Sequence, residues 1–576
     1  MNVKFKSMSI KNFRNFIDIN IHLDNRNVFF GLNDVGKTNF LYAIRYVLDG
    51  SVRRNNMQES DYHCKDTSKI IELCIEIDLS DDDDECKIIR ARAKGAIYSN
   101  TNNFYIRLYT EPYDKSEQMG LIHMEWGSDL QDLEEISSTG SRFAIDSIFN
   151  VVYIDVYEDM QRMFSKNRNK FFSGTSDTNA DDVKVYDAIK ENKNNLEENI
   201  HKLSKVKSFE DTITKEFNDI MDIGVKLESE INVGDFYSSL KPYMHDINDD
   251  NIYPVSGEGR RKLLIYTMYK MMSKSKEYNN KINIFLIEEP ENNLHRSIQI
   301  VLSKLLFSDD EVYKYLFMST HSSNMMSYMN NANLIRVYMS GQNITSESYL
   351  YVIDDDFKEN KNQYNRALTD ALFVKRVLMV EGPSELLLFE KVLSTLDQDY
   401  ELKGIFIMTI NGIYFGEYKK VLDRLKIKNY IKTDNDLQKI SSKDKTYFLA
   451  SGLNRCNKFL ESYVGSDTFF ENIKYDNVGD RKKFKIKIYE EHKDKISEMQ
   501  NNYRIYLSEV DLEEDLFRSI KTKYISKSGK RFTAAYLREH KWKNMSELVQ
   551  LLSEDDCIKI YNSPLFKCLK DLYEGR

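Results

Sequence analysis

The sequence predicts a multidomain α/β protein, with a nucleotide-binding head, a helical insertion and then a domain built on a parallel sheet. Three observations predict it. An apolar stretch at 27–30 runs into Gly31-Leu-Asn-Asp-Val-Gly-Lys-Thr38, a GxxxxGKT pattern that opens a helix. A second apolar run, 281–287, ends in the acids Glu288 and Glu289. Between 377 and 515 short apolar runs alternate with helix-like segments, and this alternation implies βαβ units.

Composition sets the outer limits. With 576 residues the chain is too long for one core, and roughly three or four domains are expected. A content of 41% hydrophobic and 30% charged residues is globular rather than disordered. No apolar run approaches the ~20 residues of a membrane helix, and the N-terminus lacks a signal-peptide core. The six cysteines are scattered without a CxxC pair, which disfavours a disulfide framework or a zinc site and points to a reducing cytoplasm. The net charge of −9 argues against nucleic acid, but the average hides a basic stretch. Residues 516–543 run from Arg518 to Lys543 with many lysines and arginines and one acid, Glu539, so a polyanion could dock there.

Along the chain, residues 3–23 alternate as a strand pair around a turn at 12–15. In the GxxxxGKT loop, glycines let backbone N–H groups turn toward phosphates at a helix N-terminus. Lys37 reaches the β- and γ-phosphates, and Thr38 offers its hydroxyl to Mg²⁺. Asn33, Gly36 and Asn39 complete the expected nucleotide contacts. Residues 70–79, 86–93, 104–109 and 121–126 read as strands of an antiparallel sheet beside the nucleotide. From 156 to 250 the chain is polar with sparse apolar residues at helical spacing, and reads as a helical arm suited to dimerisation.

Ser256-Gly257-Glu-Gly-Arg-Arg-Lys262 precedes an apolar helix. In the 281–291 stretch Glu288 would hold Mg²⁺ and Glu289 would polarise a water. A further strand at 315–318 ends in Ser319-Thr-His321-Ser, which places His321 for a γ-phosphate. This order of motifs resembles the head of ABC-type ATPases of the SMC/RecF kind. The resemblance implies that Ser256 and Gly257 of one head cap nucleotide held by Lys37 of another. A Q-loop glutamine is not evident; Gln58 is the candidate.

In the second half, Val377-Leu-Met-Val380 is a buried strand ending in Glu381, then a Gly-Pro turn and Glu385. Strands at 405–410, 429–433 and 503–507 follow, the third ending in Asp434-Asn-Asp436 and the fourth leading to Asp511 and Glu513. Glu381, Glu385, Asp434, Asp436, Asp511 and Glu513 would repel one another unless neutralised. A hard divalent cation such as Mg²⁺, or Mn²⁺, is the simplest neutraliser of an all-oxygen set. Two such ions would stabilise the attacking and leaving oxygens of a phosphodiester.

A strand-end Glu followed by a later strand-end DxD resembles the Toprim domain. A Toprim domain directly after an ABC-type head resembles the OLD (overcoming lysogenisation defect) family of nucleases over essentially the whole chain. Within it, IKNFRNF at 10–16, IEEPE at 287–291, VEGPSE at 380–385, KTDNDL at 432–437 and YLREHKWKNM at 536–545 resemble the branch that serves the Gabija anti-phage system. The resemblance implies that the six acids hold the metal, that Lys541 sits at the scissile phosphate, and that the 516–543 patch contacts double-stranded DNA. It implies ATP with Mg²⁺ at the head, assembly as a dimer of heads or a tetramer, and a UvrD-like helicase partner.

The expected organisation is head 1–155, insertion 156–250, head 251–350, linker 351–376, Toprim 377–515 and a basic C-terminal segment 516–576. The expected activity is a Mg²⁺-dependent, ATP-controlled DNA endonuclease. A non-nucleolytic SMC/RecF-like ATPase that clamps DNA is the alternative. A topoisomerase or primase is disfavoured by a head placed before the Toprim domain.

Overall fold

The structure is a computed structural model. It describes residues 3–31, 35–93, 95–97, 101–139, 142–172, 188, 191–192, 199, 203–208, 244–246, 249–253, 257–273, 281–308, 311–341, 343–353, 361–410, 415–441, 446–465, 468–471, 473–476, 478–521 and 523–576. The chain divides into two compact units, one of 1–153, 284–292 and 299–576, the other of 154–283 and 293–298.

The first unit holds three sheets that matter. One is a six-stranded antiparallel sheet in the order Phe16–His22, Lys4–Phe13, Glu72–Asp78, Asn103–Thr110, Ile122–Asp129, Asp132–Glu135. Its alternating burial, as in Asn103–Thr110, reflects one face on the core and one outward. The expected strand at 86–93 is instead part of a helix, Asp84–Arg92. Asp83 caps it by accepting from the Cys86 N–H, Asp84 and Glu85 fill the first turn, and Cys86, Ile89 and Ala93 are buried at helical spacing.

The second sheet has the order Phe149–Ile154, Ile282–Glu288, Tyr315–Ser319, Arg26–Phe30, Ala332–Ser340, Asn343–Tyr351. Its inner strands pair in parallel, and Arg26–Phe30 and Tyr315–Ser319 are buried at every position, as strands covered on both faces must be. The strand Arg26–Phe30 leads to the phosphate loop and the helix Lys37–Leu48.

The third sheet is four-stranded and wholly parallel, in the order Ile405–Thr409, Arg376–Val380, Lys428–Thr433, Ile505–Leu507. The first strand in sequence is central, with its successors on either side. The carboxyl ends of Arg376–Val380 and Lys428–Thr433 therefore flank the point where strand order reverses, the usual place for a site in an open α/β sheet. One core unites this sheet with the helix Pro383–Leu396 and the C-terminal helices, through Leu378, Leu388, Phe389, Tyr430, Leu537, Leu548 and Leu569. Each such side chain contributes roughly 1.5–3 kcal/mol on burial, so the C-terminal segment is anchored beside the acids.

In the second unit, the helices Met160–Phe172 and Glu258–Ser273 pack together. The expected all-helical texture gives way at its end to a hairpin of Met244–Asp246 and Asp249–Tyr253. Most of the remaining expected arm lies outside the described residues. Among the described residues, no helix is long and apolar enough to cross a membrane.

Candidate functional site

The phosphate loop and the strand ends beside it enclose a cavity of ≈ 710 Å³ lined by Asn15, Gly36, Lys37, Thr38, Asn39, Glu289, Glu291, Asn292 and His321. Gly36 has φ +97°, and a Cβ there would fall 1.9 Å from the Asn15 amide nitrogen, so only glycine fits the turn. Lys37 is buried and its ammonium donates to the Gly31 carbonyl at 3.2 Å. The Thr38 hydroxyl donates to Glu288 Oε1, and the Tyr153 hydroxyl donates to Glu288 Oε2. Burial and Glu288 together push the Tyr153 phenol far up, so it stays a donor. Glu289 has φ +40°, a conformation uncommon for a side-chain-bearing residue. It lies 3.0 Å from His321 Nε2.

Gly36, Lys37, Thr38, Asn39, Glu289 and His321 thus line one cavity, and Glu288 is tied to Thr38 at its edge. Asn33 and Ser256 lie outside the described residues. Gly257 is exposed in the other unit, at the start of the Glu258–Ser273 helix. Gln58 is exposed and donates to the Asn55 carbonyl at 2.8 Å, away from the cavity lining.

Sequence reasoning missed Arg14, Asn15 and Glu291. Arg14 bonds Asp61 and Asn39, and Asn15 accepts from Asn39 at 3.0 Å. Their signal was present, within IKNFRNF. Glu291 accepts from the His321 main-chain N–H, and burial raises its carboxyl above the ordinary range.

The second cluster lies at the carboxyl end of the parallel sheet. Glu381 follows its central strand, and Gly382 and Pro383 turn the chain into a helix whose first turn carries Glu385. Pro at the helix start is favourable because its missing N–H would have no partner there. Glu381 Oε1 accepts from the Thr433 hydroxyl at 2.5 Å, the Asp434 N–H at 2.9 Å and Arg455 Nη2 at 2.9 Å. Arg455 Nη2 also meets Asp436 Oδ2 at 2.9 Å and the Asp434 carbonyl at 2.8 Å. The Ser508 hydroxyl donates to Asp434 Oδ1 at 3.1 Å. Asp511 caps the Leu512–Ser519 helix, whose first turn carries the buried Glu513.

The groups also act on one another electrostatically. Burial, then Glu381, Glu385, Asp436 and Asp511, raise the Asp434 carboxyl well above its ordinary range. Burial pushes Glu385 up to about 7, with Glu381 and Glu513 adding to the effect and Lys541 opposing it. Burial also raises Glu513. Lys541 is partly desolvated, which works against its charge, yet Glu513, Asp434, Glu385 and Asp511 hold its pKa above the ordinary value. All seven residues expected here are therefore brought together.

Among the described residues four cations temper the acids; the sequence reading placed Lys541 here, put Arg538 only in the DNA-contacting 516–543 patch, and missed the other two. Arg455 enters from the helix Ser451–Val464, Lys485 stands 3.8 Å from Asp436, and Arg538 grips Asp511 through Nε at 3.1 Å and Nη2 at 2.7 Å. Arg455 and Lys485 lie in no motif, whereas Arg538 falls within the YLREHKWKNM stretch. Gly452 makes the approach of the Ser451–Val464 helix possible, because a Cβ there would lie 2.6 Å from the Asp434 carbonyl oxygen.

A donor set of carboxylate oxygens suits a hard divalent cation. Among the described residues, no three acidic, His or Cys side chains already stand in ligand geometry. Glu381, Asp436 and Asp511 are turned instead toward Arg455 and Arg538, so closure on a cation requires side-chain rotation.

Comparison with known proteins agrees with this architecture. A family model described as an AAA ATPase domain matches residues 4–326, and one described as an overcoming lysogenization defect protein-like TOPRIM domain matches 372–436. The chain is 41% identical to Endonuclease GajA of Bacillus cereus (strain VD045), over 99% of each chain. It is 24% identical to the Old nuclease of Escherichia phage P2, over 67% of this chain and 69% of the phage protein. A solved Smc head bound to the C-winged helix domain of ScpA superposes with a TM-score of 0.36 and 15% identity, over 60% of this chain and 97% of that one. Nuclease domains of the Toprim type and ATPase domains of this type generally use divalent metals. An ATPase head followed by a Toprim domain, with near full-length identity to one of its members, makes this chain a member of the GajA branch of the OLD nuclease family.

Proposed function

We propose that the chain is a Mg²⁺-dependent endonuclease of double-stranded DNA, controlled by ATP at its head and acting in bacterial anti-phage defence of the Gabija type. The observation that carries this reading is the gathering of Glu381, Glu385, Asp434, Asp436, Asp511 and Glu513 at one sheet end, with Lys541 facing them. A divalent ion bound there supplies Lewis-acid stabilisation of the attacking and leaving oxygens. Mn²⁺ would serve the same oxygen ligands.

The chain's own residues do the rest. Glu381 and Asp434 are fixed at the strand ends by Thr433, Ser508 and the main chain, and Asp436 is held by Arg455. Lys541 neutralises charge developing on the phosphate. At the head, Lys37, Thr38, Glu288, Glu289 and His321 would hold ATP with its Mg²⁺, and Ser256 and Gly257 would act on nucleotide of a second head. That arrangement needs a homo-oligomer, and the resemblance to the Gabija branch implies a UvrD-like helicase partner and a cytoplasmic setting.

The domain limits proposed are those of the sequence: head 1–155 and 251–350, arm 156–250, linker 351–376, Toprim 377–515 and basic segment 516–576. Nucleotide control has a physical route within the first unit. A Cβ on Gly31, at the phosphate loop, would fall 2.3 Å from the Val337 carbonyl oxygen. The neighbouring Arg336 bonds the end of the Phe415–Arg424 helix, which packs on the strand leading to Asp434. The test is purified protein with supercoiled plasmid and Mg²⁺, with and without ATP. Nicked or linear product that responds to ATP is expected, and intact plasmid under all conditions overturns the reading.

A further inference from the structure

Trp542 is the second residue of the Lys541–Leu551 helix and is 59% exposed. A large indole left in water calls for a reason when its surroundings are specialised. Here they are. Lys541, one residue back, lies in the field of Glu513, Asp434, Glu385 and Asp511. Lys543 follows, also exposed. Ile525 is 64% exposed in the nearby basic loop that carries Lys523, Lys527 and Lys530.

Arg518 and Arg538 spend their charge on Glu509 and Asp511. By contrast, Lys523, Lys527, Lys530 and Lys543 form no ion pair among the described residues. Lys541 and Lys543 flank the indole in sequence, within a basic segment, which favours a polyanion over an apolar protein partner. The complement of a basic segment that also exposes an aromatic face is a polyanion carrying flat rings, and every nucleobase has a π-face to offer.

We propose that Trp542 stacks on a DNA base, unstacked from the duplex, next to the phosphate that Lys541 meets. This rests on the endonuclease reading. Consecutive α carbons are about 3.8 Å apart, and successive helix positions point in different directions, so the indole flanks Lys541 and reaches the nucleoside beside that phosphate rather than the phosphate itself. Trp542 is then a positioning residue: Lys541 acts on the phosphate, and Trp542 holds the strand in register. A base inside a regular duplex is stacked on both faces, so the contact requires a step to open. Opening is easier at a mismatch, which gives the contact a preference for distorted duplex.

The chain contains two tryptophans, Trp126 and Trp542, and Trp126 is only 7% exposed. The test is indole fluorescence of the full-length protein, with Ca²⁺ in place of Mg²⁺, on adding a duplex oligonucleotide and the same duplex with one mismatch. Emission falls on binding, and falls further with the mismatch. Trp126→Phe keeps the signal and Trp542→Phe abolishes it. In plasmid cleavage, Trp542→Ala loses on the order of ten-fold in kcat/KM, mostly through KM, and Trp542→Tyr recovers most of it. A gel shift showing bound DNA with unchanged emission overturns the inference, as does Trp542→Ala cutting like the parent. Emission that changes with protein concentration alone would assign Trp542 to an interface between copies and also overturn it. Failure to bind DNA at all would fell the endonuclease reading first.

Discussion

Arg336 donates from Nη1 to the main-chain oxygens of Leu425 and Lys426, at 3.0 and 2.6 Å. Those carbonyls end the Phe415–Arg424 helix, where Lys426 takes φ +54°. Unpaired carbonyls and the negative end of the helix dipole both favour a cation there. Arg336 sits on the strand beside Arg26–Phe30, opposite Phe30, and Phe30 packs edge-on against Phe373 at 5.8 Å. One arginine thus ties the strand next to the phosphate loop to the helix beside the Asp434 strand.

Arg336→Ala should leave nucleotide binding and the cutting machinery in place while shrinking the effect of ATP on plasmid cleavage. The measurement pairs an equilibrium nucleotide titration with cleavage at several ATP concentrations. An undiminished ATP response would mean that control travels by another route.

Gly452→Ala should disable cleavage without touching the head. The added methyl group meets the Asp434 carbonyl oxygen at 2.6 Å and the Asn435 Cα at 2.9 Å. The loop carrying Asp434 and Asp436 must shift, and a displacement of about 1 Å at a reacting centre costs on the order of a hundred-fold in rate. Nucleotide affinity unchanged, with cleavage lost, is the expected pair of readings.

Lys541→Ala should lower kcat far more than it raises KM, on the order of a hundred-fold or more in turnover. A pure affinity loss in the same assay would reduce Lys541 to a phosphate contact.

The acid cluster should also make stability depend on pH. Glu385 is 8% exposed and sits at about 7 rather than near its ordinary value of about 4.3. Its neutral form is favoured in the fold, so its contribution is complete below the unfolded value and is lost as pH rises through about 7. The difference corresponds to roughly 4 kcal/mol. Unfolding free energy measured by denaturant titration in EDTA should fall between pH 4 and 8 by about this amount, and Glu385→Gln should flatten the curve.

Much of this was legible in the sequence. The phosphate loop is a contiguous motif, and the acids follow apolar runs that can only be buried strands, so Lys37, Glu288, Glu381 and Asp434 were found from local pattern. The helix Asp84–Arg92 was misread because the β-branched pair Ile88-Ile89 suggests a strand, while the Asp83 cap and the 86–89–93 spacing carry the stronger signal. Arg455 and Arg336 had no local signal. Each is one arginine on an ordinary element, and its role arises only when strands far apart in sequence become neighbours. Tyr153 is similar, since its partner Glu288 is 135 residues away.

The central claim is that the Glu381 cluster cuts DNA. Its most direct test is Glu381→Ala with supercoiled plasmid and Mg²⁺, beside the parent protein, with ATP binding measured on both. The account predicts that nicking and linearisation disappear while ATP binding is unchanged. Retained nicking by Glu381→Ala would contradict it.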